Sequence, residues 1–169
     1  MAAITEVTPN LDPDILPGAD WGDAYEAIMA HPFATAREAG DCMGRNLPGW
    51  MQPMLKLRDG LTSLAGLKGT DELRAQADAG MDAVAFFPII SETDERLVVG
   101  TDDKHFDFRL VLELDENGSG QQVLRMTTLL KRHNFGGRAY LAVIMPFHRE
   151  ACRGSLKNMA AERAGLVAA

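Results

Sequence analysis

The chain has 169 residues, 46% of them hydrophobic and 24% charged, with 24 acidic and 17 basic side chains and a formal charge of −7. That balance excludes disordered and fibrous classes and fits one soluble globular domain, since domains cluster near ~100–150 residues. No apolar run reaches the ~18–20 residues of a membrane-spanning helix, and the net negative charge argues against nucleic acid or an anionic membrane as the main partner. The first residues show neither a basic flank nor an apolar stretch, so the expectation is a cytoplasmic chain without a secretory signal. Cys42 and Cys152 are too few and too far apart for a disulfide framework or a metal ribbon.

Residues 1–18 carry Pro9, Pro13 and Pro17 with no apolar period, and read as an irregular N-terminal arm; residues 19–165 read as a single α+β domain of ligand-binding type. Trp21 to Ala30 alternates, with Tyr25, Ala27 and Met29 on one side, and is expected as a first strand ended by His31-Pro32. Thr35 and Glu38 have Thr-x-x-Glu capping-box spacing and start a helix that ends near Gly44 or Asn46. Pro48 opens a second short helix with the stripe Met51, Met54, Leu55 and Arg58, followed by a surface excursion over 68–81.

The second half changes period. Val84 to Ile90 is a nearly continuous apolar run, expected as one strand covered on both sides, with Pro88 placing it at an edge or a bulge. Arg96–Thr101 is the next strand. Lys104–Asp115 alternates Phe106, Phe108, Leu110, Leu112 and Leu114 against His105, Asp107, Arg109, Val111 and Glu113. Asn117-Gly118-Ser119-Gly120 turns it into Gln122–His133. Folding about Gly118 sets Phe106 opposite Leu130, Leu112 opposite Leu124 and Lys131 opposite His105, so both apolar faces agree. A long helix follows Asn134-Phe135-Gly136-Gly137. Tyr140, Ile144, Phe147 and Ala151 form one stripe, Leu141, Met145, Cys152, Leu156 and Met159 lie beside it, and Pro146 kinks it.

The familiar catalytic signatures are absent. There is no phosphate-binding loop, no dinucleotide fingerprint, no His-Glu-x-x-His, no Gly-x-Ser-x-Gly and no Cys-x-x-Cys. Two polar readings remain for the strand His105–Arg109. Either its polar face is a solvated outer surface of cross-strand charge pairs, with Glu113 diagonal to Arg125 and Asp107 diagonal to Lys131, or His105 with Asp107 is a general acid–base pair of a cyclase, isomerase or hydrolase. A metal site from His105, Asp107, His133 and His148 is the weaker reading, because nothing in the sequence brings His148 to that strand pair. No cofactor is called for.

The aromatic and methionine residues have core spacing, yet they also suit a pocket between the sheet and the long helix. Its candidate ligand-binding residues are Trp50, Phe106, Phe108, Arg109, Met126, His133, Arg138, Tyr140, Phe147 and His148. Residues 1–100 carry a net −9, whereas 125–163 carry eight bases against Glu150 and Glu162. An acidic small molecule is therefore a more natural partner than the whole-chain charge implies.

The strings Gly100-Thr-Asp-Asp-Lys-His-Phe-Asp-Phe-Arg109, Lys131-Arg-His-Asn134, Gly137-Arg-Ala-Tyr-Leu141 and Pro146-Phe-His-Arg149 resemble an uncharacterised, largely bacterial family of domains of unknown function, DUF2867. Ala19-Asp-Trp-Gly-Asp-Ala-Tyr25, Leu57-Arg-Asp59 and Gly66-Leu-Lys68 fit it too, so the likeness covers about residues 15–160. That family is similar to the START-like, helix-grip superfamily of lipid- and small-molecule-binding proteins. The resemblance implies an N-terminal strand, two short helices, an antiparallel β-meander and a long kinked C-terminal helix, although about five strands are counted where many helix-grip proteins have six or seven. It implies no reaction. The expected function is binding of a small amphipathic or acidic, lipid-like ligand. The alternatives are the His105/Asp107 enzyme and a protein-interaction or regulatory module that meets another chain or a second copy of itself through exposed apolar surface.

Overall fold

A computed structural model describes residues 3–50 and 82–165. The strands are β1 (Ile4–Val7), β2 (Trp21–Ile28), β3 (Ala83–Val84), β4 (Phe87–Glu92), β5 (Arg96–Asp102), β6 (Phe106–Glu116) and β7 (Gln122–Arg132), and the helices are α1 (Ala36–Arg45) and α2 (Phe135–Arg163). All strands join one antiparallel sheet of seven strands in the order β1-β2-β7-β6-β5-β4-β3. No helix among the described residues is long and apolar enough to cross a membrane.

Alternation along β2, β5, β6 and β7 gives the sheet two apolar faces. Tyr25, Ala27, Leu97, Val99, Leu110, Leu112, Leu124 and Met126 point to one side, where α1 contributes Ala36, Ala39 and Cys42 and α2 contributes Cys152, Leu156 and Met159. Val98, Val111 and Leu129 point to the other side and are covered by Leu16, Ile15 and Ala19 of the N-terminal arm. The arm is tied down where the Arg132 backbone N–H and Nε donate to the Asp20 carboxylate at 3.1 and 3.0 Å. It is also less irregular than its prolines suggest, because Ile4–Val7 pairs with β2 as the edge strand.

Helix α1 starts and stops where its sequence says. The Glu38 N–H donates to Thr35 Oγ1 at 3.2 Å, and Asn46 closes the other end through its backbone N–H to Cys42 and Met43 carbonyls. The Glu38 carboxylate completes the cap by accepting from the Ala34 N–H at 2.7 Å. The expected second helix from Pro48 and the 68–81 excursion lie outside the described residues, apart from Pro48 to Trp50. Helix α2 is capped by Asn134, whose side chain accepts from the Gly137 N–H at 3.0 Å. Gly137 has no room for a side chain, since a Cβ there would strike the His105 carbonyl.

Three expectations need correction. The β6–β7 register pairs Phe106 with Arg132, Phe108 with Leu130 and Leu112 with Met126, two residues from the arrangement centred on Gly118. A shift of two preserves the faces, so the apolar agreement survives; the loop is simply Asn117–Gln121 rather than a tighter turn. Val84–Ile90 is a hairpin, not one strand: Ala85 and Phe86 form the turn between β3 and β4, with Ala85 at φ 57°. The turn tucks Phe86 into the core, so its apolar character hid it among strand residues. The described residues hold seven strands rather than about five, because β1 and the short β3 escaped notice.

Leu156 is wholly buried, whereas Val143 on the outer side of α2 is 58% exposed. Leu156→Ala is therefore expected to cost about 2–5 kcal/mol of unfolding free energy in urea titrations. Val143→Ala is expected to change it by less than about 0.5 kcal/mol.

Candidate functional site

Two features border α2. The first is a polar cluster inside the apolar layer. β2 and β7 pair with Asp23 opposite Thr128 and Tyr25 opposite Met126. His148 and Cys152, one helical turn apart on α2, face those strands. His148 Nε2 lies 2.8 Å from Thr128 Oγ1, 3.4 Å from Cys152 Sγ and 3.6 Å from Asp23 Oδ1. The Tyr25 hydroxyl donates to Asp23 Oδ2 at 3.2 Å. Asp23 is 4% exposed, and its Oδ1 has no hydrogen-bond donor.

Charge in this cluster is set by opposing effects. Burial pulls the His148 imidazole down, but Cys152 and Asp23 beside it outweigh burial and raise it from 6.5 to about 10. Burial, then the charges of Asp23 and Glu6, push the Tyr25 hydroxyl well above its ordinary range, so it remains a donor. Arg153 stacks over the Tyr25 ring at 5.1 Å while its guanidinium reaches Glu6 and Glu150. A single ring nitrogen, Nε2, meets all three partners of His148. A Ser- or Cys-type triad needs one imidazole nitrogen for the nucleophile and the other for the carboxylate, so this is not a relay of that kind.

The second feature is a cleft of about 770 Å³ at the C-terminal end of α2, walled by Thr5, Ile28, Val123, Lys157 and Ala161 with Glu26 at its side. Glu26 is engaged by Arg125 at 2.7 Å. Lys157 is exposed and makes no hydrogen bond or ion pair with any described residue.

The sequence-predicted residues divide among three environments. Phe106, Phe108, Met126, Tyr140 and His148 lie on the helix side: Phe106 stacks on Tyr140 with ring centres 5.7 Å apart, Phe108 meets Phe87, and Met126 is core. Arg109 and His133 lie on the opposite face. Arg109 is 8% exposed and donates to Asp102 at 2.6 Å, while His133 pairs with Asp107 at 3.0 Å. Trp50, Arg138 and Phe147 are exposed. None of the ten lines the cleft.

His105 and Asp107 are not brought together. Asp107 takes His133, and His105 Nδ1 bonds Asn134 Oδ1 at 2.9 Å. The expected cross-strand pairs also change hands. Glu113 stands directly opposite Arg125, yet Glu113 bonds Arg96 at 3.0 Å and Arg125 turns to Glu26. No group of His, Cys, Asp and Glu among the described residues is arranged to hold a metal ion.

Sequence reading missed Asp23, Tyr25, Thr128 and Cys152. The His148–Cys152 spacing was a usable signal; the approach of β2 to β7 was not visible.

The family comes from comparison. A family model described as "Protein of unknown function (DUF2867)" matches residues 15–154. The chain belongs to the DUF2867 family. No curated protein and no solved structure matches it.

A native imidazole raised from 6.5 to about 10 favours the protonated fold. Its stabilising contribution is complete below the unfolded value and disappears as pH climbs toward the folded one. Unfolding free energy of the wild type is expected to fall between about pH 7 and about pH 9 more steeply than that of His148→Gln. Parallel profiles would contradict the assignment.

Proposed function

We propose that this DUF2867 chain binds a small amphipathic ligand with an acidic head, of the lipid-like kind that helix-grip proteins hold. The observation that carries the reading is the cleft of about 770 Å³ bordered by β1, β2, the loop between β6 and β7 and the C-terminal end of α2, within the ~300–1,000 Å³ of small-molecule sites. Its walls are mostly alanine, isoleucine and valine side chains, suited to an apolar body. Lys157 stands at the same cleft and pairs with no carboxylate among the described residues, which suits an acidic head.

The topology supports the same reading. A strand (β2) leads into α1, a meander runs from β3 to β7, β7 returns beside β2, and α2 then packs back over the strands. That order is what supports a helix-grip reading, with β1 added at the edge. Nothing favours the His105/Asp107 enzyme, because those two side chains take other partners.

Native mass spectrometry of the chain purified from its own host is expected to show a retained ligand. Decanoate is the defined probe for titration. Ala161→Trp should fill the cleft and abolish decanoate binding, and Lys157→Glu should weaken it by about tenfold or more, with melting temperatures close to wild type. A bare wild-type mass together with no decanoate binding would overturn the proposal, as would unchanged binding by both variants.

A further inference from the structure

The buried cluster has chemistry that the cleft does not use. We propose that Cys152 is a nucleophilic thiol activated by His148, and that it is a covalent attachment site for small soft electrophiles of the α,β-unsaturated carbonyl class. The proposal stands apart from the ligand cleft, whose lining does not include Cys152 or His148.

The geometry carries it. Cys152 Sγ and His148 Nε2 are 3.4 Å apart, hydrogen-bonding distance for sulfur, and their one-turn spacing on α2 holds them there. The same nitrogen is 3.6 Å from Asp23 Oδ1. That oxygen is buried and without a donor, a negative charge that calls for a cation beside it. A protonated Nε2 stands between the Cys152 sulfur and the Asp23 carboxylate, so it answers the charge that a thiolate brings as well as that of Asp23.

The other groups around it fit. From β2, Tyr25 stays neutral and donates to the second Asp23 oxygen; from β7, Thr128 Oγ1 meets Nε2 at 2.8 Å. Arg153 on α2 is tied to Glu6 of β1 and Glu150 of α2, and Arg149 lies over the Trp21 ring at 5.9 Å. Cys152 is 6% exposed, and the His148 side chain beside it is 17% exposed.

Atoms balance without an oxidant or a leaving group. The sulfur lone pair forms a bond to the β-carbon of the electrophile, the C=C electron pair moves to the α-carbon, and the proton held on His148 Nε2 completes that carbon. The product is a thioether, and Nε2 takes back from water the proton that the thiol gave up on ionising.

Cys42 is the internal control. It is 1% exposed on α1, where burial, reinforced by Glu162, pushes its thiol up to about 11.

The test is N-ethylmaleimide labelling of the full native chain at neutral pH, followed by peptide mass spectrometry. Cys152 is expected to react at least about tenfold faster than Cys42. His148→Gln should bring Cys152 down toward the Cys42 rate, and the isosteric Asp23→Asn should lower it in part. The Cys42 rate, unchanged in both variants, reports that the fold is intact. Equal labelling of the two cysteines in the wild type would overturn the proposal. So would Cys152 reacting only in urea, or keeping its rate in a His148→Gln chain with protected Cys42.

Discussion

The pairing of β2 with β7 is the constraint on which the rest of the molecule depends. It joins Trp21–Ile28 to Val123–Leu130 from opposite ends of the chain. The entropy of closing so long a loop is recovered through eight paired positions and the buried side chains between them. Once it forms, the chain leaving β7 must lay α2 back across the same two strands, and the core under α2 fills with Tyr25, Met126, Cys152, Leu156 and Met159. Asp23 and Thr128 come together only through this pairing, and His148 meets them only because α2 lies above it.

The charge distribution reflects the same closure. The acidic excess of the first half and the basic excess after β6 are not two faces offered to solvent. Glu6, Asp20, Glu26 and Glu38 meet Arg153, Arg132, Arg125 and Arg163, so carboxylates from the N-terminal elements neutralise the guanidinium groups of β7 and α2. Exposed pairs of this sort are worth about 0–1 kcal/mol each and serve orientation more than stability; the apolar layer supplies the latter. Lys157 is conspicuous because, among the described residues, it lies beside these paired bases without a carboxylate.

Buried polar groups occur on both faces of the sheet, with different solutions. On the arm side, Arg109 lies across Gly100, where a Cβ would strike both the Phe108 carbonyl and the Arg109 stem, and it finds Asp102 and the Phe108 carbonyl. That arrangement settles an isolated cation. On the helix side, Asp23 keeps an oxygen without a hydrogen bond, and its compensation depends on the protonation of His148. A charge whose partner is itself titratable is poised for chemistry rather than for packing.

Local rules made much of this legible. Thr35 and Glu38 marked α1, Asn134 marked the start of α2, and alternation in β6 and β7 assigned every side chain to the correct face even with the register displaced by two. Parity is a local property, whereas register depends on loop length, and Asn117–Gln121 accommodates more than one. Ala85 turned the chain without a glycine or asparagine to announce it. On α2 the sequence offered two adjoining stripes. The one with Leu141, Cys152, Leu156 and Met159 is buried, while Phe147 of the other is 45% exposed. Composition and periodicity thus determined the fold class, the order of the elements from β4 onward and the inward faces. Tertiary structure decided which carboxylate meets which base, where the cleft opens, and that Asp23 and Cys152 share one imidazole. Hydrophobic period is written within a few neighbouring residues, but a site made across β2, β7 and α2 exists only after distant strands have paired.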